Sequence, residues 1–307
     1  MLWSAPRTLS TCVERVLLEI PAVHVHHEPF GVPFYWGEEA PSRRQAKDRR
    51  RETSFAHVAH AVWRAPTPTG VEMVFSKDHA YYFAPHCLHR LAEFTQGVDV
   101  RHSFIIRHPQ RAIVSLYNKS CVDNGGTGYR YFDPAEAGFV AMWSLLVHIE
   151  ETATPGAPPP IIDADDLLED PEGVLGAYCA ALGLAFESSM LHWGDKPVPS
   201  QLRNSAWSGW TEAVCSSPGV VPRMRAPMPS LDGLPQAVLE AIAEAMPIYE
   251  QMHARRIRPS THVRDVERAP LTTAVNRAIE VGEAGSGSES SEVKEGSDIS
   301  EEEAAAP

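Results

Sequence analysis

Short apolar segments that alternate with helical patterns constrain the fold of this chain most strongly. The segments are AVHVHH (22–27), VEMVF (71–75), HSFIIR (102–107) and IIDADDL (161–167), and each is bounded by turn or charged residues. Apolar strands of this kind, separated by helices, form a parallel β-sheet that helices cover on both faces. The predicted fold class is therefore α/β, and ligands are expected at the carboxyl ends of the strands.

The helical patterns lie between these segments. Val13, Val16, Leu17 and Ile20 repeat at helical spacing, and Pro21 ends the pattern. Further helices are predicted over 80–94, from Pro109 onward, over 136–151 and 171–184, and at about 235–254. Only Met1 to Ser4 precede the first helical region, so the first strand is either very short or incomplete.

Composition divides the chain into two parts. Residues 1–265 are predicted to form the α/β domain, and residues 266–307 a mostly disordered, Ser/Glu-rich tail. About half of the formal charge of −13 comes from residues 281–307, which contain eight acids and only one lysine. A general nucleic-acid-binding protein would have a surplus of basic residues, so no nucleic-acid partner is expected.

Cysteine usage and hydropathy bear on the compartment. The five cysteines are scattered without a CxxC pair, which favours neither a disulfide framework nor a cysteine zinc site. The pairs HVHH, HVAH and HCLH lack matching acids or cysteines, so no metal is expected. No apolar run reaches the ~20 residues of a membrane span, and the start lacks a signal pattern. A cytoplasmic protein without a membrane partner is predicted.

The stretch SAPRTLST (4–11) leads directly into the first helix. The guanidinium of Arg7, the hydroxyls of Ser10 and Thr11 and the backbone amides from Thr8 to Thr11 suit an anion at a helix N-terminus. The motif G-x-x-x-x-G-K-[ST] is absent from the sequence, which disfavours a nucleoside triphosphatase. The alternative interpretation is a cluster of helix-capping residues.

A second stretch, RHPQRAIVS (107–115), has the same character. Arg107 ends a predicted strand, and Ser115 lies eight residues later on a helix that begins with proline. A guanidinium and a hydroxyl so placed can bind one phosphate, although a surface arginine beside an unrelated serine is the alternative. Two anion sites at strand-to-helix junctions indicate a nucleotide with two separated phosphates.

Three segments in this order resemble the sulfotransferases that use 3′-phosphoadenylyl sulfate (PAPS), a family with a fold similar to that of P-loop nucleoside triphosphate hydrolases. They are SAPRTLST, RHPQRAIVS and the acid-rich segment 163–193, and the resemblance covers roughly residues 1–195. It implies that PAPS is the sulfuryl donor. The loop usually contains a lysine and a glycine, and here Arg7 and Leu9 stand in their places.

The resemblance also implies residue roles. The residues matching the loop that holds the 5′ side and the transferring group are Arg7, Thr8, Ser10 and Thr11, and those matching the 3′-phosphate pair are Arg107 and Ser115. Members with a histidine base show lysine, any residue and histidine after the third strand, as in Lys77-Asp78-His79. Arg7 and Lys77 would supply positive charge, and His79 would take the proton from the acceptor. The alternative for His79 is one more histidine among 14.

The implied function is transfer of a sulfuryl group from PAPS to a hydroxyl, or an amine, of a small organic acceptor. The alternative is a catalytically inactive relative that binds nucleotide or partner proteins. The aromatic stretch FGVPFYW (30–36) suits a wall of the acceptor pocket or core packing. The run SRRQAKDRRR (42–51) is typical of a solvated face, or alternatively attracts an acidic acceptor.

Overall fold

Five parallel strands form one sheet in this computed structural model, which describes residues 1–38, 40–44, 53–122, 127, 129–152, 158–194, 196–203 and 208–259. The strands are β1 (Leu2–Ser4), β2 (Val23–His27), β3 (Met73–His79), β4 (Ser103–Ile106) and β5 (Ile161–Asp163), in the order β2-β3-β1-β4-β5. The predicted parallel sheet is thus confirmed. The predicted tail, residues 266–307, lies outside the described residues.

The short first strand is the central strand of the sheet. Leu2 pairs with Lys77 of β3 on one side and with Ser103 of β4 on the other. Leu2 and Trp3 are fully buried, and the Trp3 indole nitrogen donates to Nδ1 of His102 at 3.1 Å. Three residues suffice for this strand because both of its edges are hydrogen-bonded and both of its faces are covered.

Helices surround the sheet and connect its strands. In chain order they are α1 (Ser10–Leu17), α2 (Gly31–Trp36), α3 (Phe55–Trp63), α4 (Ala80–Cys87), α5 (Leu91–Thr95), α6 (Pro109–Tyr117), α7 (Phe139–Thr152), α8 (Ala164–Glu169), α9 (Pro171–Leu182), α10 (Ser200–Arg203), α11 (Ser208–Cys215) and α12 (Gln236–Ala254). Gly183 ends α9 with φ 75°, a left-handed C-cap conformation that favours glycine.

Successive residues of each strand pack alternately into two apolar layers, one on each face of the sheet. Leu2, Phe75 and Ile105 face the layer that contains residues of α1 and α9. Trp3 and Phe104 face the opposite layer, which contains residues of α4, α7 and α12. Because side chains of a strand point alternately to opposite faces, both faces of the sheet are buried, as the apolar character of the strands predicted.

Several predictions of element bounds differ from the structure. The predicted strand 161–167 ends at Asp163, where α8 begins, and the predicted helix 80–94 is divided into α4 and α5. Strand β3 continues beyond the predicted 71–75 to His79, because its neighbours β1 and β2 provide hydrogen-bonding partners along that length. The region between Trp193 and the helix predicted at about 235–254, for which no helix was predicted, contains the short helices α10 and α11. Among the described residues, no helix combines the length and the hydropathy needed to cross a membrane. All five cysteines are free thiols.

Candidate active site

The carboxyl edge of the sheet gathers the residues that the sequence singled out. Ser4, the last residue of β1, is in register with His79 of β3 and with Ile105 of β4. The loop after β1 and Arg107 after β4 therefore leave the sheet side by side. This is the edge at which open parallel sheets bind ligands.

The loop from Ala5 to Leu9 is a tight turn that aims the start of α1 at this edge. Arg7 and Leu9 adopt left-handed backbone angles, with φ 65° and 66°. The Thr8 hydroxyl donates to the carbonyl of Ala5 at 2.8 Å, so this side chain closes the turn from inside. Left-handed angles favour glycine, so Leu9 adopts a conformation that is unfavourable for a residue with a Cβ.

Ser10 and Thr11 form the first turn of α1. Ser10 is buried and Thr11 is half-buried. The first amides of a helix have no partner within the helix, and the positive end of the helix dipole lies there. The eight-residue helix thus presents amides and a partial positive charge at the carboxyl edge of the sheet.

Arg7, Arg107 and Ser115 are brought together by the fold. Nη1 of Arg107 donates to the carbonyl of Arg7 at 3.0 Å, and Nε of Arg7 donates to Oγ of Ser115 at 3.1 Å. The two stretches that the sequence analysis treated as separate anion sites are therefore in direct contact, with Ser115 on α6 facing the loop.

A second arginine adds to the charge at this position. Nε of Arg107 lies 3.6 Å and Nε of Arg111 lies 3.2 Å from the carboxylate of Asp165, which is buried at the start of α8. Both Nε atoms are buried without a hydrogen-bond acceptor among the described residues. Burial lowers the pKa of Arg107, but guanidinium remains charged at neutral pH. Two cations share one carboxylate, which leaves a net positive site.

Lys77 lies beneath the surface of the site. Its side chain is fully buried, and its ammonium binds the carboxylate of Glu28, the residue after β2. Burial acts to raise the pKa of Glu28, but Lys77 and His79 outweigh burial and hold it below its usual value. The charge of Lys77 is thus matched inside the protein, and its part in sulfuryl transfer stays a prediction.

His79 lies at the end of β3 with 12% of its side chain exposed. Nδ1 is 2.8 Å from Oγ of Ser4, and Nε2 is 3.3 Å from the carboxylate of Glu28. Burial lowers the pKa of His79 to about 4, against the opposing effect of Glu28. The imidazole is therefore neutral at pH 7, and its role as a base stays a prediction.

The aromatic stretch 30–36 lies in the core. Phe30 and Tyr35 are fully buried, and Tyr35 exchanges hydrogen bonds with Tyr81 at 2.9 Å and with Tyr129 at 2.6 Å. The hydroxyls of Tyr81 and Tyr129 both contact that of Tyr35, which donates to the carboxylate of Glu136 at 3.4 Å. The core interpretation therefore holds for Phe30, while Tyr35 belongs to a polar network.

The carboxylates of α8 are engaged in structural contacts. Arg225 pairs with Asp166 and Glu169 on the surface. One group among the described residues has metal-ligand geometry, Asp163, Asp166 and His253, but none of the predicted histidine pairs belongs to it. Asp166 already accepts from Arg256 at 2.6 Å, so a cation occupies this carboxylate.

Sequence reasoning missed Glu28, Arg111 and Asp165. Arg111 lies within the quoted stretch 107–115, and Asp165 within the acid-rich segment 163–193. A signal for Glu28 was its position directly after a strand, at the edge where ligands bind. Its ion pair with Lys77 depends on the register between β2 and β3, which a single sequence does not specify.

A five-stranded parallel sheet with helices around it defines a protein of the α/β class, and clustered arginines lie at the carboxyl edge of its sheet. The chain matches the sulfotransferase domain family over residues 1–256 and belongs to that family. It is 24% identical over 252 residues to branched-chain-amino-acid aminotransferase-like protein 2 of Arabidopsis thaliana, covering 80% of this chain and 40% of that protein.

Two solved structures share the sulfotransferase description. The sulfotransferase domain of the Synechococcus PCC 7002 olefin synthase is 17% identical, covers 79% of this chain and 92% of its own, and gives a TM-score of 0.37. The sulfotransferase domain of the curacin biosynthetic pathway is 12% identical, with coverage of 79% and 95% and a TM-score of 0.40. The chain spans less than half the length of the Arabidopsis relative.

Proposed function

We propose that this protein transfers a sulfuryl group from PAPS to a hydroxyl, or an amine, of a small organic acceptor. The observation that carries the proposal is the pair Arg107 and Arg111, whose buried guanidiniums share Asp165 beside the loop after β1. Neither Nε–H makes a hydrogen bond of good geometry with that carboxylate, and two guanidiniums against one carboxylate leave a net positive charge. A phosphate would balance this charge, so these residues fit the nucleotide of PAPS.

The residues divide into two binding groups. Arg107 and Ser115 hold the 3′-phosphate, while the loop and the first turn of α1 hold the 5′ side; the residues of the second group are Arg7, Thr8, Ser10 and Thr11. Because Arg7 bonds to Ser115 in the structure, both groups form one continuous surface. Backbone amides and arginines supply the fixed positive charge that a transferring sulfuryl group requires.

PAPS supplies an activated sulfuryl group on its 5′-phosphate. The acceptor oxygen bonds to sulfur as the bond from sulfur to the phosphate oxygen breaks, and His79 takes the hydroxyl proton. Ser4 and Glu28 orient the imidazole, at 2.8 and 3.3 Å. Lys77 lies below them and holds Glu28 ionised, so it acts on His79 through Glu28 as well as through its field.

An inactive, nucleotide-binding or partner-binding relative is the second candidate. The observation that favours it is the burial of Lys77, whose ammonium is engaged with Glu28 instead of lying at the surface of the site. Such a protein would still bind nucleotide through Arg107 but would not transfer a sulfuryl group.

The first test is calorimetric titration with 3′-phosphoadenosine 5′-phosphate, the product nucleotide, with ADP as the control. We expect micromolar binding that depends on the 3′-phosphate. Release of this nucleotide from PAPS in the presence of a panel of hydroxylated acceptors then separates an enzyme from an inactive relative. Equal affinity for ADP, or no binding of either nucleotide, would contradict the proposed nucleotide site.

A further inference from the structure

Two buried hydrogen-bond donors face the same tyrosine and lack acceptors. They are Nη2 of Arg44 and Nε1 of Trp210, and neither has a hydrogen-bond partner among the described residues. The guanidinium carbon of Arg44 lies 4.1 Å from the centre of the Tyr129 ring. The rings of Trp210 and Tyr129 are 5.0 Å apart at an angle of 69°. Buried donors of this kind indicate an oxygen-bearing ligand.

The other two nitrogens of the Arg44 guanidinium donate hydrogen bonds to protein oxygens. Nε donates to the carboxylate of Glu136 at 2.6 Å, and Nη1 donates to the carbonyl of Tyr131 at 3.1 Å. The rings of Tyr129 and Tyr131 each lie 4.1 Å from the guanidinium carbon. Only 5% of the side chain is exposed, so the prediction of a solvated face is wrong at Arg44. Residues 45–51 of that run lie outside the described residues.

Trp210 contacts the loop of the proposed nucleotide site. Nη1 of Arg7 donates to the carbonyl of Trp210 at 3.3 Å, and the guanidinium carbon of Arg7 lies 5.9 Å from the centre of the Trp210 ring. Trp210 therefore contacts the Arg7 guanidinium, and Tyr129 contacts both the Trp210 ring and the Arg44 guanidinium. Glu136 is the carboxylate that pairs with Arg44.

The other side of the cluster leads to His79. The hydroxyl of Tyr129 donates to Tyr35, whose hydroxyl is 2.9 Å from that of Tyr81. The Tyr81 ring stacks on the His79 imidazole with a centroid separation of 5.8 Å and an angle of 12°. The cluster thus connects, through direct contacts, both the arginine and the base that act in the proposed transfer.

We infer that Arg44 and Trp210 bind a carboxylate of the acceptor, so that the preferred acceptor is a hydroxy acid instead of a neutral alcohol. We call Arg44, Tyr129, Tyr131 and Trp210 the acceptor subsite. A carboxylate offers two oxygens to the two unpaired donors, and an ionised oxygen makes a stronger hydrogen bond with a guanidinium than a neutral oxygen does. This inference rests on the proposed function because it names the acceptor of the same reaction.

The test compares hydroxy acids with their primary amides, which match them in shape but carry no charge. Binding is followed by calorimetric titration with the protein saturated with 3′-phosphoadenosine 5′-phosphate, over pairs from glycolate to 4-hydroxyphenylacetate. We expect at least one acid to bind about tenfold or more tightly than its amide, as a charge-assisted hydrogen bond provides. Trp210→Phe keeps an aromatic side chain and removes Nε1–H, and it should reduce that preference several-fold.

Arg44→Met should abolish the preference, and Arg44→Lys serves as the charge-conserving variant in case loss of the partner of Glu136 impairs folding. Arg64→Met is the matched control, because the Arg64 guanidinium binds backbone carbonyls of α5 and the following turn. Equal binding of acids and amides, no binding of any probe at millimolar concentration, or a preference unchanged by Trp210→Phe and the Arg44 variants would overturn the subsite.

Nucleotide binding, measured in the same samples, separates this outcome from failure of the proposed function. If the nucleotide binds but acids and amides are not distinguished, only the subsite is wrong. If the nucleotide does not bind, the proposed function fails, and the same titrations without nucleotide decide the subsite independently.

Discussion

Two groups of buried charges at the carboxyl edge of the sheet are built differently. In the group beneath α1, the Lys77 ammonium binds Glu28, which also faces His79. In the group beside α6, Arg107 and Arg111 share Asp165, and each retains a buried donor without an acceptor. The first group is internally matched and supports the fold. The second has a surplus of positive charge, which suits a ligand anion.

Removal of one partner from the matched group should produce the largest of the expected effects, a decrease in the free energy of unfolding. Glu28→Leu leaves Lys77 buried without its counter-ion, and loss of one partner of a buried pair typically costs about 3–5 kcal/mol. We expect this decrease in the free energy of unfolding, measured by urea denaturation. The double variant Glu28→Leu/Lys77→Met should recover much of the loss, because no isolated charge remains. A loss below about 1 kcal/mol in the single variant would show that the pair is not structurally important.

His79 contacts Glu28 of the matched group, and its replacement should affect turnover alone. His79→Ala removes the proposed base, and we expect kcat to fall by about 10²–10⁴-fold, the usual contribution of general base catalysis. Affinity for 3′-phosphoadenosine 5′-phosphate should change little. The exposed His89 provides a control in His89→Ala, which should leave both quantities unchanged. Full activity of His79→Ala would remove His79 as the base.

The pH dependence of kcat sharpens the same assignment. A base must be neutral to accept a proton, and burial lowers the pKa of His79 from 6.5 to about 4. The rate should therefore remain high as the pH falls through 6.5 and decline only near pH 4. An acid limb near pH 6.5 would indicate an exposed histidine or another base. Measurements need to stay above the pH at which the protein unfolds, followed by circular dichroism.

Breaking the positively charged group should weaken ligand binding instead of folding. Arg107→Ala removes a charge-assisted phosphate contact, and we expect affinity for 3′-phosphoadenosine 5′-phosphate to fall about 10–100-fold, corresponding to about 1.5–3 kcal/mol. Affinity for adenosine 5′-phosphate, which lacks the 3′-phosphate, should fall less. Calorimetry measures both, and an equal loss for the two nucleotides would place Arg107 elsewhere on the ligand.

The contrast between the groups also explains what the sequence could predict. Strand and helix order followed from local patterns, since Ile105 and its neighbours are apolar throughout and Pro109 begins a helix. The placement of Arg107 near the loop followed from its position at a strand end. These features depend on residues close together in the chain.

The rest depends on register and distant contacts. The burial of Lys77 arises because β3 continues to His79 between two neighbours, whereas the apolar pattern ended at Phe75. The contact between Arg7 and Trp210 joins residues 203 positions apart, and α11 has no strong pattern of its own. Arg44 also depends on a distant contact. It lies in a polar run of the sequence, but its side chain is buried because it pairs with Glu136, 92 residues later.

The smallest effect concerns the turn that joins the two groups. Leu9 has φ 66°, and a left-handed angle costs a residue with a Cβ about 1–2 kcal/mol. Both Leu9→Gly and Leu9→Ala remove the leucine side chain, but only glycine relieves this cost. We therefore expect Leu9→Gly to be more stable than Leu9→Ala by about 1 kcal/mol in urea denaturation.

At Glu244, an exposed position within α12, the order should reverse, because alanine favours helix over glycine by about 1 kcal/mol. Opposite orders at the two positions would show that the turn itself, and not a general effect of glycine on the unfolded chain, sets the preference at Leu9. The same order at both positions would contradict the left-handed angle. Because that angle directs the first turn of α1 toward Arg107, the comparison tests the geometry on which the proposed nucleotide site depends.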